Sequence, residues 1–165
     1  MSASRFPRGH AAALVIWISA FVVAYFAFEH YQRPRVGAVM ATGEVVIPRS
    51  RDGHYYVDGA INGQPLTFMI DTGATIVSVD TAFARGAGLP PGRPERFTTA
   101  GGIVIGEVVS DQTVEAGGIR IEGLRVAVGI QMRAGEPALL GANFLRYLEV
   151  VQSGDRMILR ARRDG

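Results

Sequence analysis

Asp71-Thr72-Gly73-Ala74 stands directly after the apolar run Phe68-Met69-Ile70. That order places a carboxylate at the end of a buried strand, followed by a hydroxyl and two small residues. A carboxylate in an apolar cleft is costly to ionise alone, so its protonation answers to its surroundings. Gly73 lets the backbone turn sharply and donate N–H groups to the carboxylate, and Thr72 can hydrogen-bond across to a neighbouring copy of the same loop. Taken as an isolated tripeptide, the segment also reads as a plain turn in which the Asp side chain caps its own backbone.

Two other segments bear on that choice. Ala138-Leu139-Leu140-Gly141-Ala142-Asn143-Phe144-Leu145 is a second apolar strand that ends in Gly and leads into a short helix. Thr99-Ala100-Gly101-Gly102-Ile103 opens a glycine-bearing stretch to Gly106, which reads as an ordinary glycine-rich hairpin or as a flexible tip that closes over an extended peptide. It is no dinucleotide fingerprint, because no helix follows to present its N-terminus to a phosphate. Ser78 and Ser110 sit in no nucleophile-elbow pattern and read as surface or turn residues. His10, His30 and His54 have no ligand spacing, so no metal is expected.

The elements that must position these residues are short. Tyr55 to Ile61 and Gln64 to Ile70 flank Asn62-Gly63, the pair that best tolerates the positive φ angles of a tight type I′ hairpin. Ile76 to Val79 is a further strand, and Asp80 caps a short helix that ends at Gly86 or Gly88. Pro90, Pro91, Gly92 and Pro94 impose a loop. Beyond it, Arg96 to Thr99, Ile103 to Val109, Thr113 to Ala116, Ile119 to Ile121 and Leu124 to Val128 read as strands. After the helix at Ala142 to Arg146, Leu148 to Gln152 and Arg156 to Arg160 form a closing hairpin, and a first strand is expected around Glu44 to Ile47. The fold class is all-β.

Ala11 to Phe28 holds 18 residues without a charge, Pro or Gly, enough as a helix to cover most of a ~30 Å hydrocarbon core. A cleaved signal peptide would have a shorter apolar run and small residues at its cleavage site. A buried soluble helix fits less well, because the run is apolar on every face and flanked by Arg at both ends. A retained anchor is therefore expected, with a lipid bilayer as partner through residues 11–28. Arg5, Arg8 and the terminal amine, set against Arg33 and Arg35 with Glu29 partly offsetting them, give a weak lean towards an N-terminus in the cytoplasm and a domain on the far side, the periplasm in a Gram-negative cell.

The balance of the chain is consistent with one globular domain plus this appendage: 48% of its 165 residues are hydrophobic and 19% charged, too apolar for disorder. The absence of cysteine excludes disulfide scaffolds, thiol nucleophiles and Cys-ligated metals. Every basic residue is Arg, yet residues 36–165 hold 13 Arg against 14 acids, so the folded part lacks the surplus of a nucleic-acid binder.

Four pieces in order, Ile61-Asn62-Gly63, Asp71-Thr72-Gly73-Ala74, Thr98-Thr99-Ala100-Gly101-Gly102 and Leu139-Leu140-Gly141 with Phe144-Leu145, make the chain similar to the retropepsin-like aspartic proteases. Within that family it resembles the single-Asp, membrane-anchored bacterial type, over about residues 53 to 160. The resemblance implies a single-lobe acid protease barrel, Asp71 as the catalytic residue, Thr72, Gly73 and Ala74 as loop support, and Thr99, Ala100, Gly101, Gly102 and Ile103 as a flap. Leu139, Leu140 and Gly141 would form the second apolar-Gly motif. It implies peptide or protein substrates and no cofactor. Peptide hydrolysis by this route needs two carboxylates sharing a proton around one water. The chain has no second Asp-Thr-Gly or Asp-Ser-Gly, so Asp71 must meet Asp71 of another copy in a homodimer. The flap lacks the Tyr of the two-lobed pepsin relatives, so the dimeric branch is the closer likeness.

The expected organisation is a short tail (1–10), a transmembrane anchor (11–28), a juxtamembrane spacer (29–52) and a protease domain (53–165). The rival reading from another functional class is a membrane-tethered peptide-binding or scaffold module that keeps the fold without turnover.

Overall fold

The computed structural model describes residues 8–39, 43–99, 101–130 and 136–162. It divides into two units, Met1–Pro34 and Arg35–Gly165. The first holds one helix, α1 (Arg8–Gln32). Its stretch Ala12–Tyr31 has a mean hydropathy of 2.0 and buries none of its residues, and Trp17 and Phe21 are each 75% exposed. Twenty residues at ~1.5 Å each match the ~30 Å hydrocarbon core. That length and composition fit a membrane span or a signal sequence.

The second unit is mostly β, as the alternation of short apolar runs and turn residues requires. β1 (Ala38–Val39), β2 (Val45–Pro48), β10 (Leu148–Ser153) and β11 (Arg156–Ala161) form an antiparallel sheet in the order β1-β2-β11-β10. β3 (Tyr56–Ile61), β4 (Gln64–Ile70), β5 (Val77–Val79), β6 (Arg93–Thr99), β7 (Gly102–Ala116), β8 (Ile119–Val128) and β9 (Ala138–Leu140) form the other, in the order β3-β4-β9-β5-β8-β7-β6. β3 also pairs with β7, so the hydrogen bonding returns on itself. Gly59 makes that junction possible: a Cβ there would lie 1.9 Å from the Glu115 carbonyl oxygen. Two short helices, α2 (Thr81–Gly86) and α3 (Ala142–Leu145), complete the unit.

Local rules account for most boundaries. The β3–β4 hairpin closes through Asn62 (φ 51°) and Gly63 (φ 83°), as a type I′ turn demands. The Asp80 carboxylate accepts from the Phe83 N–H at 2.7 Å and caps α2. Three expectations need correction. Ile119 to Ile121 and Leu124 to Val128 are one strand, β8, because Gly123 (φ 72°) is taken up within it at a register shift against β7. Ile103 to Val109 and Thr113 to Ala116 are likewise one strand, because Asp111 (φ 60°) absorbs the turn residues as a bulge in β7. The bulge is stapled by Asn62, whose Nδ2 donates to Gln112 Oε1 (2.7 Å) and whose Oδ1 accepts from the Thr113 N–H (3.0 Å). Pro94 lies inside β6 rather than in a loop, since β6 is at the sheet edge, where a missing N–H costs no ladder bond.

One core serves both sheets. Val45, Ile47 and Leu159 from the smaller sheet join Val57, Ile61, Phe68, Leu140 and Phe144, all fully buried. Within it, β9 decides where the chemistry sits. It runs parallel to β4, with Ile70 opposite Leu140, and antiparallel to β5, with Ser78 opposite Leu139. The chain from β4 to β5 must therefore pass over the end of β9, and residues 71–76 are that passage.

Candidate active site

Asp71 directly follows β4 and continues its ladder onto β9, with its N–H donating to the Leu140 carbonyl at 3.2 Å. The chain then turns, with the Ala74 N–H on the Asp71 carbonyl (3.2 Å) and the Gly73 N–H on Asp71 Oδ1 (2.8 Å). The side chain is thus held by its own loop, as the Asp-Thr-Gly sequence leads one to expect. Asp71 itself is half-buried, while Thr72 and Gly73 are exposed.

Gly141 lies beneath this loop. A Cβ on it would fall 2.5 Å from the Ile76 carbonyl oxygen and 2.9 Å from that of Ala74. Its φ of −88° is open to any residue, so space rather than backbone freedom requires the glycine. The α3 start fastens the loop from the other side: the Ala142 N–H donates to Ala74 O (2.8 Å) and the Asn143 N–H to Thr75 O (3.1 Å). Asn143 Oδ1 accepts from the Val77 N–H at 2.9 Å, and its Nδ2 donates to the Arg125 carbonyl at 2.8 Å. This one amide ties the Asp71 passage to α3 and β8.

β6 and β7 form a hairpin beside the loop. Thr99 pairs with Gly102, and Thr99 Oγ1 donates to the Gly102 carbonyl at 2.9 Å. Gly102 has φ 114°, a conformation that favours glycine. Between hairpin and loop opens a cleft of about 370 Å³. Asp71, Gly73, Ala74, Thr99 and Leu139 all line it. Leu140 and Gly141 are buried behind the loop, and Thr72, Gly101, Gly102 and Ile103 lie outside the lining. Ala100 is outside the described residues.

Sequence reading missed four contributors. Phe97 on β6 and Ile130 after β8 wall the cleft; neither carries a local signal, because both arrive through strand pairing. Asn143 stands inside an apolar strand-to-helix run, where nothing local marks it as a brace. Ser78 is no surface residue: it is 5% exposed in β5 and lines the cleft. Its place between two valines was the signal, since an alternating strand turns the middle residue to the opposite face.

A family model described as "gag-polyprotein putative aspartyl protease" matches residues 57–147, from β3 through α3. The chain belongs to the retropepsin-like aspartic protease family. A solved structure of a retropepsin-like aspartic protease from Rickettsia conorii is similar to this family member at 26% identity with a TM-score of 0.56, covering 71% of this chain and 89% of that one. Uncharacterized protein RP867 of Rickettsia prowazekii (strain Madrid E) is 34% identical over 79 residues, 40% of this chain and 34% of that protein. A Sinorhizobium sp. protein encoded in the cobV 5′ region is 27% identical over 112 residues, 66% of this chain and 48% of that protein. This retropepsin-like chain thus spans between about a third and a half of the length of these curated relatives.

Proposed function

We propose that the chain is a membrane-anchored, homodimeric aspartic endopeptidase in which Asp71 of two copies forms the reacting pair. The observation that carries this reading is Asp71 itself, half-buried at the cleft, fixed by its loop, with Thr72 and Gly73 exposed beside it for a second copy to meet. Two carboxylates ~3 Å apart cannot both ionise, so the pair holds one proton. The ionised Asp71 takes a proton from the water between them as the water oxygen adds to the scissile carbonyl carbon. The protonated Asp71 of the other copy gives its proton to the carbonyl oxygen. The resulting gem-diol collapses as one carboxyl protonates the amide nitrogen and the other recovers the diol proton; the C–N bond breaks and the pair again shares one proton.

The α1 helix supports the anchoring half of the reading, with residues 11–28 in the bilayer and the arginine-bearing N-terminus on the cytoplasmic side. Targets are then peptide segments of proteins that reach the same membrane. Asp71→Asn is expected to leave a folded protein that cleaves nothing in a peptide library between about pH 4 and 6, the range where a proton-sharing dyad works. Activity retained in that variant would remove Asp71 from the reaction. A wild-type protein that stays monomeric and binds peptides without cutting them would favour the scaffold reading instead.

A further inference from the structure

Ser78 is a hydroxyl that the hydrolytic chemistry does not use. Val77 and Val79 on either side of it are fully buried in the core. Strand alternation turns Ser78 to the other face, shared with its register partner Leu139, and both line the cleft together with Asp71. Ser78 is 5% exposed. Its Oγ donates to the Ile76 carbonyl at 3.2 Å, and among the described residues nothing donates to it. A buried oxygen with unused acceptor lone pairs thus sits in a cleft lined by the apolar side chains of Ile76, Phe97, Ile130 and Leu139 and by Thr75, Thr98 and Thr99, and among these uncharged polar groups Ser78 alone is buried.

The charges narrow what such a floor can receive. Among the described lining residues only Asp71 is charged. An acidic side chain would find no cation there, and a basic one would meet only the reacting carboxylate. An uncharged side chain with an apolar stem satisfies the walls, and a donor at its tip satisfies the Ser78 oxygen. An apolar isostere fills the same space but leaves that oxygen with only its bond to the Ile76 carbonyl and a dry acceptor side, the situation that lets buried polar groups discriminate between substrates of equal size.

We infer that Ser78 is a specificity-determining residue, which makes this pocket prefer an uncharged side chain tipped with a hydrogen-bond donor over its apolar isostere. The inference rests on the peptidase reading only for the ligand being a peptide. Gly106 fixes the width of the pocket: a Cβ there would lie 2.9 Å from Ile130 Cγ1 and 3.4 Å from Phe97 Cε2, so this glycine leaves those two walls room to pack.

The test uses the full-length protein in detergent and peptide pairs that differ only by Thr for Val, Asn for Leu or Tyr for Phe, at each position flanking the cut bond. In wild type the donor-bearing member of at least one pair is expected to have the higher kcat/KM by about tenfold, the scale of one hydrogen bond to a buried group. Ser78→Ala should bring that ratio to about one, and Ser78→Thr should keep most of it. Because each ratio is taken within one variant, loss of folded protein cancels. Ratios at or below one in wild type, or unchanged in Ser78→Ala, overturn the inference even if cleavage is robust. Binding of reduced-bond, uncleavable versions of the same pairs separates the two readings. A binding ratio lost in Ser78→Ala upholds the pocket even where no peptide is cut, and equal binding overturns it.

Discussion

Asp71 owes its position in part to Asn143, which lies outside the cleft lining. Asn143 satisfies the Val77 N–H and the Arg125 carbonyl with a single amide, so truncating it leaves two backbone groups unpaired. Asn143→Ala is expected to cost about 2 kcal/mol of stability and to lower kcat at least tenfold with KM nearly unchanged, since what loosens is the aim of the carboxylate; peptide kinetics and urea melts read the two effects separately. A second polar pair lies away from the site. Buried Tyr56 donates to Asp52 Oδ2 at 2.5 Å, and the His54 N–H donates to Oδ1 at 3.0 Å. Burial pushes the Asp52 carboxyl up, but these hydrogen bonds, the one from Tyr56 foremost, bring it below its ordinary value. Burial and the same bond push the Tyr56 phenol up to about 12. A lowered folded-state carboxyl stabilises at neutral pH and loses that contribution as pH falls through its folded value. A raised phenol stabilises below its unfolded value near 10 and loses that contribution as pH climbs towards about 12. Tyr56→Phe should therefore cost less than about 1 kcal/mol at pH 7, because Asp52 is open to solvent. Melts across pH should show the difference from wild type shrinking at both extremes.

At the level of elements, the site is a crossing of backbones. β9 lies between β4 and β5, so the 71–76 passage must ride over Gly141, and the contact is carbonyl against Cα with no room for a side chain. Gly141→Ala is expected to destabilise by about 3 kcal/mol, at the upper end for overpacking because the obstructing atoms are backbone and cannot rotate away. Cleavage should fall beyond what the lost folded fraction explains. Gly86→Ala is the matching control. Nothing lies within 4 Å of its Cβ position and its φ is unexceptional, so thermal unfolding should be unchanged or slightly raised. A control that melts as early as Gly141→Ala would mean that generic glycine replacement, not the crossing, is being measured.

For the molecule as a whole, the proposal turns on one chain supplying half a reacting pair. Wild type and Asp71→Asn mixed in equal amounts and allowed to exchange should give about a quarter of the activity of the same total of wild type, because only like pairs of wild type hold two carboxylates. Independent sites would give about half. The titration of activity against variant fraction, followed at a fixed total concentration in detergent, distinguishes a square law from a straight line. A straight line would place the whole reaction within one copy and end the dyad account while leaving the family membership intact.

Where physics is local, the order of residues was sufficient. Asn62-Gly63 dictates its hairpin, Asp80 its cap, the uncharged run before Glu29 its long apolar helix, and Asp71-Thr72-Gly73 a carboxylate held by its own turn. Each depends on groups within a few residues of one another, which periodicity and turn chemistry report directly. Three boundaries escaped because turn-forming residues were absorbed by their setting: Asp111 as a bulge, Gly123 within β8 and Pro94 at an edge that needs no donor. The surroundings of the carboxylate lay beyond reach for a different reason. Phe97, Ile130 and Ser78 share its cleft, and Asn143 braces the chain behind it, only because β9 inserts between β4 and β5 and the β6–β7 hairpin borders the cleft. Those pairings join strands distant in sequence, and the energy that selects them is shared burial of one core, which no segment of the chain carries by itself.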